Sequence, residues 1–199
     1  MKIQIICVAY NRLIPLRTLI DCFMVQTDSR WNLHIIHDGL APIEIMQMLG
    51  EYQNNGKMDP RINFFCSERR YQQFGHPNRR QILNKLAADK EDYVLMTNDD
   101  NYYVPKYVEY MLEAASRSIG VISCNTVHSH FGYDVHYSRL FEGGIDMGAF
   151  IVKYPIAKLV GFQHDHFSAD GLYAQECATA ARTAGLEIVH ITKPLFIHN

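Results

Sequence analysis

The chain has 199 residues, 48% hydrophobic and 20% charged, with a formal net charge of −2. Such a length buries a substantial core without disulfides, and this charge balance excludes a surface built to hold nucleic acid by phosphate attraction. No apolar stretch reaches spanning length and no charged-then-apolar leader precedes the first strand, so neither a transmembrane segment nor a secretory leader is expected.

Strand-length apolar runs alternate with segments of helical period. Residues 3–9 read as a strand, followed by a helix over 13–25 with Leu16, Leu19, Ile20 and Phe23 on one stripe. A second strand covers 33–37, a helix 42–52, a turn-rich stretch 53–60 and a third strand 62–66. A helix over 78–88 leads into the buried strand Tyr93-Val94-Leu95-Met96, and a further helix-like segment covers 105–118. This alternation predicts an α/β fold, a doubly wound and mostly parallel sheet with helices on both faces. Beyond Gly120 the pattern loosens. A short strand is expected at 121–124, a non-helical polar and aromatic stretch at 128–139, and a glycine-broken strand at 143–152. Helices at 154–160 and 171–184 and strands at 188–191 and 195–197 complete the chain. Cys7, Cys66 and Cys124 fall in strand-like runs and read as small core hydrophobes. Five cysteines without close pairs make a reducing, cytoplasmic compartment the default expectation.

Polar clusters sit where strands end, the edge at which open α/β sheets bind ligands. The first strand runs into Ala9-Tyr10-Asn11-Arg12, offering an aromatic face and a guanidinium to a nucleotide, or a turn capped by Asn11. The second ends in His37-Asp38-Gly39, where Asp38 can accept hydrogen bonds from a base or ribose. Arg79 and Arg80 stand at a helix start and read as phosphate contacts or as surface charge. The strand at 93–96 runs into Thr97-Asn98-Asp99-Asp100, whose adjacent carboxylates repel unless a cation or donors share their charge. Oxygen ligands of this kind suit Mg²⁺ or Mn²⁺ and, through the metal, a diphosphate. His128/His130 and His164/His166 each share a face if extended, but lack a fixed third ligand. No G-x-G-x-x-G or Walker loop is present, and the turn after the first strand lacks the glycines a nucleotidyltransferase needs for a triphosphate.

Taken in order, Val-Ala-Tyr-Asn-Arg (8–12), Ile-His-Asp-Gly (36–39), Gly75-His76 with its following arginines, Thr-Asn-Asp-Asp-Asn-Tyr-Tyr-Val-Pro (97–105), Gly-Ile-Asp-Met-Gly (144–148), Ser-Ala-Asp-Gly (168–171) and the closing Phe-Ile-His-Asn (196–199) resemble glycosyltransferase family 2. The resemblance implies a single GT-A-like domain with a nucleotide-binding half, 1–105, and an acceptor-binding half, 106–199, that includes a smaller antiparallel part. It implies a metal-dependent, inverting transfer from a nucleotide-sugar, with a UDP-sugar favoured, to a saccharide or glycolipid hydroxyl. Ala9, Tyr10, Arg12, Asp38, Arg79, Arg80, Asn98 and Asp99 would serve the nucleotide, with either Asn98 or Asp99 at the ribose. Asp100 and His198 would hold Mn²⁺ or Mg²⁺. Asp146 and Gly144 would shape the acceptor pocket, although packing explains the glycine as well. Asp170 would be the catalytic base, a role compatible with capping the helix it precedes. Ala169 stands where many members carry Glu. The chain closes directly after His198 without an extension for acceptor or membrane contact, which shifts acceptor recognition to 128–142 or to a partner subunit. A homo-oligomer, and a cytoplasmic location that includes the membrane periphery, are further expectations. The competing expectations are a nucleotidyltransferase and a non-catalytic nucleotide-sugar or glycan-binding module.

Overall fold

The computed structural model describes residues 1–199. Its frame is one nine-stranded sheet, with a separate two-stranded hairpin. The strands are β1 (Ile3–Ala9), β2 (Trp31–His37), β3 (Gln53–Asn54), β4 (Lys57–Met58), β5 (Ile62–Cys66), β6 (Tyr93–Asn98), β7 (Tyr102–Tyr103), β8 (Ile119–His128), β9 (Asp134–His136), β10 (Phe150–Lys153) and β11 (Glu187–His198). The helices are α1 (Leu13–Met24), α2 (Ile43–Gly50), α3 (His76–Lys85), α4 (Tyr107–Ala114), α5 (Tyr154–Val160) and α6 (Ala169–Thr183).

The large sheet runs β5-β2-β1-β6-β10-β8-β11-β7, with β9 on β8. β5, β2, β1 and β6 are mutually parallel. β10 is antiparallel to β6 and to β8, so β8 runs with β6, and β11 is parallel to β8. Six strands therefore send their C-terminal ends to one edge. β1 is buried at all seven positions, which is why it reads as an unbroken apolar run rather than an alternating one. The core joins this strand to Leu16, Leu19, Ile20 and Phe23 of α1, the stripe expected from the sequence.

Four local expectations change. The glycine-broken strand over 143–152 is a loop and a short turn, and only Phe150–Lys153 pairs. Gly148 explains the break: a Cβ there would run into the Phe196 ring, so the turn presses against β11. The two closing strands are one, β11, with irregular register around Pro194, whose missing N–H interrupts the ladder. β8 extends to His128, well past the apolar run that signalled it. Cys66 is exposed, unlike buried Cys7 and Cys124, because it ends β5 at the open edge of the sheet.

Candidate active site at the shared strand edge

Register explains why distant motifs meet. Ala9 pairs with His37, Val8 with Asn98, and His37 with Cys66, so Tyr10, Asp38 and Asp99 each lie one residue beyond the aligned strand ends. The β1 and β2 ends are tied by His37, whose Nδ1–H donates to the Gly39 carbonyl at 2.9 Å while Nε2 accepts the Asn11 N–H at 3.1 Å. That bond holds Asn11 at φ 52°, a left-handed turn that the short polar side chain of Asn tolerates.

Two cavities open along this edge. The first, about 320 Å³, is lined by Ala9, Tyr10, Arg12, Asp38, Asn98, Asp99 and Asp100, together with Arg70 and residues 72–75. The second, about 490 Å³, is lined by Asp146, Asp170, His128, His130, His136 and His198, with Phe131 and Phe167 among its apolar walls. Phe74, Asn98 and Asp100 belong to both. Volumes of this order suit small ligands, and the cavities meet at the acidic pair.

In the first cavity the Tyr10 ring lies under the Arg70 guanidinium, 3.8 Å from its carbon to the ring centroid. Arg70 was not singled out by any motif; its contribution depends on the path of the chain after β5. Asp38 is buried and faces inward, but its carboxylate is already engaged. It accepts the Tyr71 N–H at 2.7 Å, the Gln72 N–H at 2.9 Å and the Asn78 amide at 2.8 Å. Gln72, Gln73 and Phe74 all have positive φ (61°, 46° and 55°), a conformation costly for residues with a Cβ. Asp38 thus pins a strained cavity wall with charge-assisted hydrogen bonds. Gly75 follows at φ 77°, where a Cβ would meet Val8 Cγ1 at 2.6 Å. Asp38→Ala is expected to cost about 3 kcal/mol of stability, since three donors lose an ionised partner. Urea unfolding measures this, and a change under about 0.5 kcal/mol would contradict the pinning role.

The paired arginines depart from the sequence-based expectation. Arg79 is fully buried, donating to the Phe74 carbonyl at 2.6 Å and to the Asn98 side-chain oxygen. Burial lowers its pKa to about 10, and its charge is spent bracing the floor beneath the junction. Arg80 donates to the Phe162 carbonyl at 2.8 Å, the Gln163 carbonyl at 3.1 Å and Asp165 at 2.7 Å, holding the α5–α6 loop. Neither lines the first cavity. The cations there are Arg12 and Arg70.

Arg12 Nη1 reaches both acids, contacting Asp100 and lying 3.5 Å from Asp99. Asp99 is buried, accepts the Tyr10 N–H at 3.1 Å, and is pushed up to about 6 by burial. Asp100 is partly exposed at the junction of the cavities. Neighbouring carboxylates persist here because a guanidinium and a backbone amide share their charge.

Asp170 stands in the first turn of α6 and projects into the second cavity. One oxygen accepts the Gly171 N–H at 2.8 Å, and burial, followed by the nearby Asp146 charge, pushes its pKa up to about 6. Asp146 is raised to about 6, chiefly by burial, and accepts the Gly148 N–H at 3.2 Å. Gly144 backs the cavity without lining it; its carbonyl accepts the Arg139 N–H at 2.7 Å, so packing accounts for it. His198 ends β11 opposite His128 in register, and the two rings stack at 4.1 Å. Burial and neighbouring imidazoles lower both, His128 to about 4.

The sequence model of Glycosyl transferase family 2 matches residues 4–171. The chain belongs to that family. No curated protein sequence matches it. Among solved structures, the 1–349 fragment of TarS from S. aureus superposes with a TM-score of 0.77 at 15% identity, over 100% of this chain and 60% of the fragment. The same fragment in complex with UDP-GlcNAc gives 0.77 at 15% identity, over 99% and 58%. The mannosyltransferase PcManGT from Pyrobaculum calidifontis, in complex with GDP-Man and Mn²⁺, gives 0.71 at 13% identity, over 99% and 56%. The chain spans about 60% of the TarS fragment's length, and at these identities the likeness is one of fold, that of GT-A-like enzymes.

For this family-2 chain the donor chemistry around the junction fits a divalent cation. His198 Nε2 lies 3.5 Å from Asp146 Oδ2, and one ligand atom from each of His128, Asp146 and His198 falls within 4.8 Å of the others. Asp100 is outside that group, with its carboxylate against Arg12. No helix is long and apolar enough to cross a membrane.

Proposed function

We propose that this chain is a metal-assisted, inverting glycosyltransferase that moves a sugar from a nucleotide-sugar to a saccharide or glycolipid hydroxyl. One observation carries the reading: two cavities of different chemistry meet at Asn98 and Asp100, with cations and an aromatic face on one side and a partly free carboxylate, Asp170, on the other. The donor cavity draws its lining from residues 8–100, and the acceptor cavity mostly from 128–199, which supports a donor half over 1–105 and an acceptor half over 106–199. A UDP-sugar is favoured because the TarS fragment is solved with UDP-GlcNAc, while GDP-Man with Mn²⁺ in PcManGT supports a cation beside the diphosphate.

In this reading Tyr10 and Arg70 hold the base, with Ala9, Asp38 and Asp99 lining its slot. Arg12 faces the diphosphate with the guanidinium nitrogens that the carboxylates do not use. The acceptor hydroxyl enters beside Asp170, whose second oxygen takes its proton as the acceptor oxygen bonds to the anomeric carbon. The bond from that carbon to the diphosphate oxygen breaks, and Arg12 meets the charge left on the nucleoside diphosphate. A divalent cation, when bound, adds a second positive charge for that leaving group. One base on the face opposite the leaving group makes inversion the stereochemical outcome.

Thermal-shift measurements against UDP- and GDP-sugars, followed by assay of nucleoside diphosphate release, test the reading. A donor present at 100 times its Kd should stabilise the fold by about 2.7 kcal/mol and be hydrolysed slowly without acceptor. Tight binding with no turnover would instead fit a binding module, and no binding to any nucleotide-sugar would contradict the proposal.

A further inference from the structure

Two aromatic side chains on the wall of the second cavity are left in water although they touch each other. The rings of Phe74 and Phe167 meet edge to face, 6.0 Å between centroids and 72° between planes. Phe74 is 62% exposed and Phe167 77%. Adjacent large apolar groups held open in this way mark a contact surface rather than core packing. Phe74 shows its ring at a cost, because its backbone sits at φ 55°, a strained conformation for a residue with a Cβ. Fully buried Arg79 braces that turn through the Phe74 carbonyl. Phe167 is bracketed as well: His76 Nε2–H donates to the His166 carbonyl at 3.1 Å, and Ser168 Oγ–H donates to Glu142 at 2.7 Å. The pair is therefore held in place before a ligand arrives, and Phe74 borders both cavities.

The rest of the lining sets the chemistry of that ligand. Asp100, Asp146 and Asp170 line this cavity together with imidazoles, and no lysine or arginine does, whereas Arg12 and Arg70 line the first. Of the three acids only Asp100 forms an ion pair with an arginine. A phosphate or carboxylate entering here would meet carboxylates with no guanidinium on the wall to offset them. An acyl chain would fit the rings but bury those polar groups without partners. An uncharged pyranose satisfies both sets. Its C–H face packs on the electron-rich face of an aromatic ring, and its hydroxyls donate to carboxylates and imidazole nitrogens. We propose that Phe74 and Phe167 form the stacking platform for an uncharged pyranosyl acceptor, and that this cavity selects against acceptors bearing phosphate or carboxylate beside the reacting hydroxyl. The proposal deepens the sugar-transfer reading and rests on it for naming the bound sugar an acceptor.

The test measures binding of methyl glycosides of glucose, galactose, mannose and N-acetylglucosamine to the full chain by saturation-transfer NMR and calorimetry. The methyl glycoside of glucuronic acid and methyl glucoside 6-phosphate form the charged arm. UDP and Mn²⁺ are present throughout, so the charge they bring is common to both arms. At least one neutral glycoside should bind, and the charged ones should bind at least about tenfold more weakly than their neutral parent. Phe167→Ala and Phe167→Leu should each weaken the neutral glycoside about tenfold, the scale of one aromatic contact, while Phe167→Tyr keeps the parent's affinity. In transfer assays the same variants should raise the acceptor KM and leave kcat within about twofold, as expected for an interaction made equally before and during reaction. Phe74→Ala should match Phe167→Ala; if circular dichroism shows that its strained turn fails to fold, the exposed Phe167 series decides. Parental affinity in Phe167→Leu would reveal an alkyl contact and overturn the stacking platform. Equal binding of the charged glycosides would overturn the selection by charge. No neutral glycoside binding while UDP binds would overturn the subsite and leave the donor reading standing. Glycoside binding without UDP binding would support the platform and fail the donor reading alone.

Discussion

Asp170→Asn is expected to abolish measurable transfer while leaving donor affinity close to that of the parent and making the protein more stable. General-base catalysis is worth about 10²- to 10⁴-fold, and the amide cannot take the acceptor proton. Donor affinity should stay within about twofold, because the side chain acts on the acceptor side and not on ground-state nucleotide binding. The stability gain follows from proton linkage. Asp170 is raised from 3.8 to about 6 by burial, so between those values the folded state holds more proton than the unfolded one. Stability contributed by this carboxyl is therefore full below its unfolded value and falls as pH rises through about 6. At pH 7 the ionised form costs the fold about 3 kcal/mol, since each tenfold change in proton affinity is worth about 1.4 kcal/mol. The Asn variant escapes that cost, and the gain should vanish near pH 3. Urea unfolding in EDTA at both pH values measures it. The same raised pKa places the acid limb of the parent's kcat/KM near pH 6, with activity rising as Asp170 ionises. A fully active Asn variant would remove Asp170 from the chemistry.

Arg12→Met is expected to produce the second large loss, about 10²- to 10³-fold in kcat/KM, the range for deleting one preorganised charge stabiliser. Arg12 touches both Asp99 and Asp100, so its removal leaves two adjacent carboxylates facing an incoming diphosphate. Donor binding should weaken as well as turnover, in contrast to Asp170→Asn. Arg12→Lys should recover only part of the loss, because an ammonium cannot bridge two carboxylates and a phosphate with a rigid fork of donors. Steady-state kinetics and donor calorimetry separate the effects. Parental kcat/KM in the Met variant would show that Arg12 only neutralises the acidic pair.

The strand-end motifs were legible because aligned parallel strands turn positions in sequence into positions along one edge. Tyr10, Asp38 and Asp99 needed no knowledge of loops to be placed together. Arg70, Arg79 and Arg80 were not separable in this way. Which guanidinium reaches a cavity depends on the strained path of residues 72–75 and on α5–α6 packing, neither of which leaves a period in the sequence. The same holds for His128. Its pairing with His198 joins residues 70 positions apart through a β11 ladder that Pro194 had made look like two strands. Burial of Asp146 and Asp170, which sets their pKa values, likewise follows from packing of the loop before β10 and not from spacing.

The most direct test of the account is a crystal structure of the chain with a non-hydrolysable nucleotide-sugar bound. The predicted result places the base against Tyr10 and Arg70, the diphosphate beside Arg12, and the anomeric carbon at the Asn98–Asp100 junction with its open face toward Asp170. A donor whose sugar points away from the Asp170 cavity, or a nucleotide seated outside the cavity between Tyr10 and residues 70–75, would contradict it.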